Sequence, residues 1–429
     1  MRATAATLAV ILALTAAACG GDGGTASAGL VASDLERRAP DAPAADVAAV
    51  AAGNNAFAAA AYALLAAQEG NLVYSPASIR LALAMTYAGA VGQTAAEMAG
   101  ALHFDLEGEA LHAAFNALDQ ELASRNLVEP TQGDGIERKV QLSIANSLWG
   151  QQGTTFVPGF LDTLAAEYGA GMRLVDYIRA AEAARVAIND WVAGETNDRI
   201  EDLIPEGVLN PMTRLTLVNA VYLDATWSLV FDKDATYDAP FTLLGGSEAI
   251  VPTMHQQDPF PYAAGDGWQA VALPYVGEEL AMLFVVPDAG RFAEVEGRVA
   301  AGLLDEVVTG LQTAEVRLAM PKYEFRFKAG FADLLAALWM PTAFDPGLAD
   351  FSGMSTEESL FISEVIHEAF IKVDEEGTEA AAATAVIMET TSAPIEVLEL
   401  AIDRPFLFSL YDRATGTILF MGRVLDPSA

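Results

Sequence analysis

The feature that most narrows what this chain can become is the decapeptide EEGTEAAAAT at residues 375–384: charged residues, one glycine, then small side chains, with no proline until Pro394. Alanine is the best helix former, so residues 379–385 suit a helical turn. Divided by the two-residue period of a β-strand, Thr378, Ala380, Ala382, Thr384, Val386, Met388 and Thr390 share one face, while Glu379 and Glu389 fall on the other. One face can then be buried with both charges left in water. The neighbours favour the strand. Residues 360–373 (LFISEVIHEAFIKV) are strand-like, and 405–411 (PFLFSLY) with 417–424 (TILFMGRV) form a hairpin pattern around a Gly-containing connection. A long exposed segment tethered between two buried strands is a bait or a lid.

The 429 residues exceed the usual size of one domain, yet no Pro/Gly/Ser-rich linker interrupts them after about residue 46, which predicts one large folded domain over 46–429. Residues 1–18 have a basic start, an apolar run at 8–14 and small residues at 16–18, the pattern of a secretory signal too short to span a bilayer. Cys19, the only cysteine, excludes an intramolecular disulfide and a Cys-based metal site. Its place directly after AAA resembles the lipobox of bacterial lipoproteins, with Ala16 where Leu is more usual. Export is therefore expected, with Cys19 lipidated and residues 19–45 a flexible tether at the cell envelope, or with secretion after plain cleavage.

Acidic residues outnumber basic ones 58 to 23, a formal net charge of −35. Binding to phosphate backbones needs clustered Lys and Arg, so nucleic acid and sulfated polysaccharide are excluded as partners, and the acidity serves solubility. Chemistry-bearing patterns are sparse. The four histidines, at 103, 112, 255 and 367, make no zincin pair, and there is no GxSxG elbow, Walker loop or dinucleotide fingerprint. No catalytic residue, metal site or cofactor is expected.

A series of separated blocks runs along the chain: NLVYSPASIRLALAMTYAGAVG (71–92), SIANSLW (143–149), INDWVAGETNDRIEDL (188–203) and TLVNAVYLDATW (216–227), then residues 320–322, AFDPGLADFSGM (343–354), residues 361–384, PFLFSLY and FMGRV. In these blocks, and in their order over residues 50–427, the chain resembles the serpin family. The resemblance implies an α+β fold of three β-sheets with eight or nine helices, and an exposed reactive-centre loop from Glu375 to about Asp403. In inhibitory members a protease cuts this loop, the acyl-enzyme forms, and the cut loop enters the main sheet as a new strand that drags the protease along and deforms it. Such loop insertion is an established case of strand addition and of stored strain released.

The family hinge maps onto Glu375, Glu376, Gly377, Thr378, Glu379, Ala380, Ala381, Ala382, Ala383 and Thr384. Gly377 supplies a pivot, Thr378 is small enough to enter first, and Ala380, Ala382 and Thr384 follow without steric cost. Counting along the family pattern puts the reactive bond at Thr391-Ser392, within a bait spanning 388–393. No Lys or Arg occurs from 379 to 403, so a trypsin-like pocket has nothing to hold, and elastase-, chymotrypsin- or subtilisin-like serine proteases are the expected covalent partners, with cysteine proteases as an alternative class.

The resemblance also places Ser75, Ser78, Asn219 and His367 in a buried polar shutter between the central strands, and Trp227 and Lys322 at the breach where the loop first enters, Lys322 facing Glu375 as an exposed ion pair. By itself His367 reads as a satisfied core histidine, and Trp227 as a core aromatic. Two departures stand out: Ala225-Thr226 replaces the usual Lys-Gly before the breach tryptophan, and residues 109–125 are acidic where heparin-activated members are basic. The expected molecule is a non-enzymatic, metastable monomer that polymerises on heating, without heparin activation. A non-inhibitory serpin acting as a binding or chaperone-like module shares every fold motif and differs only at the hinge.

Overall fold

The computed structural model describes residues 29–130, 136–378 and 397–429. Cys19, the hinge residues Glu379, Ala380, Ala381, Ala382, Ala383 and Thr384, and the bond Thr391-Ser392 lie outside the described residues.

The first sheet is built from β1 (Gly29–Val31), β3 (Leu127–Val128), β4 (Lys139–Gln151), β5 (Met172–Val175), β6 (Leu215–Thr226), β12 (Tyr323–Gly330), β13 (Glu364–Val373) and β14 (Gly377–Thr378). Its order is β1-β5-β4-β6-β13-β12, with β3 on β4 and β14 on β6. All twelve residues of β6 are buried, as befits a central strand covered on both faces. The outermost β12 alternates instead, turning Glu324, Arg326 and Lys328 outward, which protects a sheet edge from pairing with another chain.

The second sheet joins β2 (Leu72–Tyr74), β7 (Tyr237–Thr242), β8 (Glu248–Gly265), β9 (Trp268–Pro274), β10 (Leu280–Pro287), β11 (Gln312–Pro321), β15 (Leu398–Ala401), β16 (Phe406–Asp412) and β17 (Ile418–Val424). The long β8 pairs with β7 at its start, with β11 along its body and with β9 at its end. It therefore joins β7, β11 and β15 on one side to β9, β10, β16, β17 and β2 on the other in one nine-stranded network. The hairpin expected near the C-terminus forms as β16 and β17, with a register shift at Leu410/Tyr411. Strand structure at 360–373 begins only at Glu364.

Nine α-helices occur among the described residues. Three show how local sequence sets a helix end, and two of them, the first and the third, pack against the central strands. The helix α2 (Pro76–Tyr87) starts where the Ser75 side chain accepts the Ser78 amide at 3.2 Å, with Pro76 in the first turn where its missing N–H costs nothing. A second, α5 (Pro158–Tyr168), also starts on proline and stops at Gly169 in the left-handed conformation. The third, α6 (Tyr177–Glu195), begins at Asp176, whose carboxylate accepts the Arg179 amide. Residues of α6 bury Ile188 and Val192 against Ala145, Val218 and Ala220 on one face of the first sheet, while the main core packs on the other.

One correction concerns the N-terminus. Residues 29–43, read from sequence as part of the tether, dock on the body. The strand β1 pairs antiparallel with β5, capping the sheet edge. Arg37 bonds Asn116 and Asp119, and Arg38 reaches Glu109 at 3.1 Å and Glu167 at 3.0 Å.

Candidate functional site

The site is the seam between β6 and β13. These strands run parallel, and their ladder extends from Glu364 opposite Thr216 to Ala369 opposite Val221. At the upper end of β6, Ala225 and Thr226 pair instead with Thr378 and Gly377, in the antiparallel sense. Two residues of the family hinge, Gly377 and Thr378, are thus already seated beside the central strand, in the orientation an inserted strand would have.

Close backbone approach makes this possible. A Cβ on Gly377 would lie 2.0 Å from the Ala225 carbonyl oxygen, so no other residue fits. The Trp227 amide donates to the Glu376 carbonyl and the Phe231 amide to that of Glu375, both at 2.8 Å. The Trp227 indole N–H donates to the Asp374 carbonyl at 3.0 Å. The Ala225-Thr226 departure from the family pattern finds its place here: both are fully buried, and the Thr226 hydroxyl donates to the Glu137 carbonyl.

The hinge differs from expectation in its exposure. Glu375, Glu376 and Thr378 are 5%, 2% and 3% exposed, so the described part of the loop is buried. The ion pair of Lys322 with Glu375, at 2.7 Å, is correspondingly not a surface pair, since its carboxylate is almost wholly covered. Burial pushes the Glu375 carboxyl upward, but hydrogen bonds from Lys322, from the backbone and from Thr236, together with the Lys322 charge, jointly outweigh it and leave the group below the ordinary carboxylate range. Lys233 forms an ion pair with the buried Glu376 carboxylate. At its far end the loop stops before β15, which pairs in parallel with β11 from Leu398, short of the Asp403 boundary.

Lower in the seam, the structure gathers all four shutter residues. The Ser75 amide donates to His367 Nε2 at 3.1 Å, which leaves the proton on Nδ1 to be donated to Asn219 Oδ1. The Asn219 carboxamide N–H group then donates to Ser78 Oγ and to Asn146 Oδ1, and Ser78 itself donates to Asn146 Oδ1 at 3.0 Å. Burial holds the His367 imidazole neutral, its pKa lowered to about 3. Phe331 meets the ring edge-on, 5.6 Å between centroids.

Three contributors escaped the sequence reading. Asn146 lies inside a motif quoted for the resemblance, but only the pairing of β4 with β6 puts it opposite Asn219. Lys233 sits in a short turn with no periodic signal. Tyr275 follows β9, stacks on Trp227 at 4.4 Å and 18°, and bonds the Thr378 hydroxyl at 2.6 Å. No group of three or more His, Cys, Asp or Glu suited to a metal ion occurs among the described residues.

Residues 52–427 match the family model of the serpins, serine protease inhibitors. The chain is 41% identical over 377 residues to a serpin-like protein of Thermococcus kodakarensis, covering 87% of this chain and 84% of that one. It is 35% identical over 367 residues to the leukocyte elastase inhibitor of Homo sapiens, covering 83% and 93%. Among solved structures it resembles tengpin, a thermophilic serpin in its native state, with a TM-score of 0.78, 26% identity and coverage of 93% and 99%. Uncleaved ovalbumin, at 24% identity, shares the fold with a TM-score of 0.77 and coverage of 88% and 100%. The family matched from end to end of the folded body, and the loop root seated at the head of the seam, lead to one conclusion: this chain belongs to the serpins.

Proposed function

We propose that the protein is an irreversible suicide-substrate inhibitor of serine endopeptidases of elastase-, chymotrypsin- or subtilisin-like specificity. The protease serine attacks the carbonyl carbon of the reactive bond, at Thr391-Ser392 or elsewhere within 388–393. The peptide bond breaks, the new amino terminus leaves, and the loop remains as an acyl ester on the protease. Insertion of the freed loop between β6 and β13 then carries the protease away before water hydrolyses the ester. The protein supplies the bait and the stored free energy, and the protease supplies the catalytic groups.

The observation that carries this reading is the seating of Gly377 and Thr378 against Thr226 and Ala225, in the same antiparallel sense that a complete inserted strand requires. Relatives named leukocyte elastase inhibitor, and a bait without Lys or Arg, support the protease class. We further propose export, with a lipid on Cys19 holding the inhibitor at the cell envelope.

The test mixes protein lacking residues 1–28 with elastase-like and subtilisin-like proteases, followed by denaturing gels and the mass of the released C-terminal peptide. A detergent-resistant covalent complex is expected, and the peptide mass fixes the reactive bond. Complete cleavage without complex across both protease classes would transfer the assignment to a non-inhibitory binding role.

A further inference from the structure

The Thr378 hydroxyl is 2.6 Å from the Tyr275 hydroxyl, and both residues are buried, Thr378 at 3% and Tyr275 at 0% exposure. Tyr275 is itself fixed. Its ring stacks on Trp227, its amide donates to the Leu280 carbonyl at 3.0 Å, and the next amide, of Val276, donates to the Thr226 carbonyl at 2.9 Å. The same Thr226 is the strand partner of Gly377. Trp227 in turn holds the hinge backbone through Asp374 and Glu376. The phenol therefore projects from a hydrogen-bonded and stacked frame to the point where the Thr378 side chain sits.

We infer that Tyr275 is a positioning residue for loop insertion, a receptor whose hydroxyl captures Thr378 and so holds the loop root in the seam before any protease arrives. This inference rests on the inhibitory reading for its consequence, though not for its geometry. Strand addition begins with the costly step of fixing the first residues beside an existing strand. With Thr378 already captured, that step is complete when the reactive bond breaks, and insertion competes better with hydrolysis of the acyl ester. The seat also selects its occupant. Serine and threonine can satisfy the buried phenol, whereas valine, of the same shape as threonine, leaves it without a partner, which costs more than the net worth of the bond.

The test is a cycle of Tyr275→Phe, Thr378→Val and the double variant, with Thr378→Ser as the conservative rescue. Two readouts are taken: amide hydrogen exchange of the peptide spanning residues 374–378, and the number of inhibitor molecules consumed per protease molecule trapped. Each single variant strands one buried hydroxyl, so hinge exchange is expected to rise roughly three- to tenfold, and inhibitor consumption severalfold. The double variant removes both hydroxyls and is expected to return toward wild type, and Thr378→Ser to retain wild-type behaviour. Purely additive effects, or hinge exchange unchanged in Tyr275→Phe, would overturn the inference. Should the wild-type protein trap no protease, the inhibitory reading fails, while the exchange cycle still decides whether Tyr275 holds the hinge.

Discussion

Asn219 and His367 stand opposite one another in the parallel ladder of β6 and β13, and the imidazole donates a hydrogen bond to the carboxamide across the seam. Under the proposed mechanism a new strand passes between these two residues, which makes the bond both a clasp on the closed sheet and an obstacle to insertion. Opening the seam to admit one strand means doubling a separation of about 4.8 Å. The clasp must then break, and each partner has to find another, or the cost of a buried unsatisfied polar group remains.

Acid should loosen this clasp. The His367 pKa falls from an ordinary 6.5 to about 3 through burial, so the folded state binds fewer protons than the unfolded chain between those values. Stability from this group is complete above about pH 6.5 and is lost progressively as the pH falls toward 3, by up to about 1.4 kcal/mol per pH unit. His112, buried beside Tyr168 and lowered to about 4, acts with the same sign. Melting curves between pH 7.5 and 5 should show a decline that is shallower in His367→Asn. An identical slope in the variant would remove His367 from the account.

Gly377→Ala should expel the loop root. The added Cβ would sit 2.0 Å from the Ala225 oxygen and 2.9 Å from the Thr226 Cα, backbone atoms that cannot step aside. The penalty is more than about 1 kcal/mol, enough to reduce the seated population roughly fivefold or more. Protease protection at residues 374–378 should fall accordingly, with the melting temperature of the body little changed.

Thr378→Arg should convert an inhibitor into a plain substrate. The native position is 3% exposed, and an arginine there would bury an unpaired charge in the seam. Gels should show cleaved protein and active protease in place of the covalent complex.

Specificity should follow the bait. Trypsin is expected neither to cut residues 379–403 nor to be trapped, since no basic side chain lies there. Thr391→Arg should confer inhibition of trypsin. Trapping at another residue, read from the peptide mass, would move the reactive bond within 388–393.

Removing residues 1–41 should lower the melting temperature by a few degrees. It bares the edge of β5 and takes Arg38 from Glu167, a carboxylate only 4% exposed whose pKa burial already pushes up despite that partner. Scanning calorimetry of the truncated and full-length proteins, with size-exclusion chromatography after mild heating, also tests the proposed polymerisation.

Local sequence determined a good deal of this protein. The run LTLVNAVYLDAT, eight of its twelve residues apolar, becomes the central strand; Ser75-Pro76 suits a helix start; PFLFSLY and TILFMGRV form their hairpin. These follow from short-range rules of burial, capping and turn chemistry, which a single segment can satisfy by itself. Sequence also named Ser75, Ser78, Asn219, His367, Trp227 and Lys322, through a resemblance carried by ordered motifs. Tertiary structure alone decided that Asn146 joins His367 in one hydrogen-bonded cluster, that residues 29–43 are part of the body, and that Gly377 and Thr378 are already inside the sheet with Tyr275 waiting for them. These depend on partners far apart in the chain: Asn146 and Asn219 are 73 residues apart, Asn219 and His367 148, and Tyr275 and Thr378 103. Such contacts arise from the register of paired strands, and a register is a property of two segments at once, which the periodicity of either one cannot express.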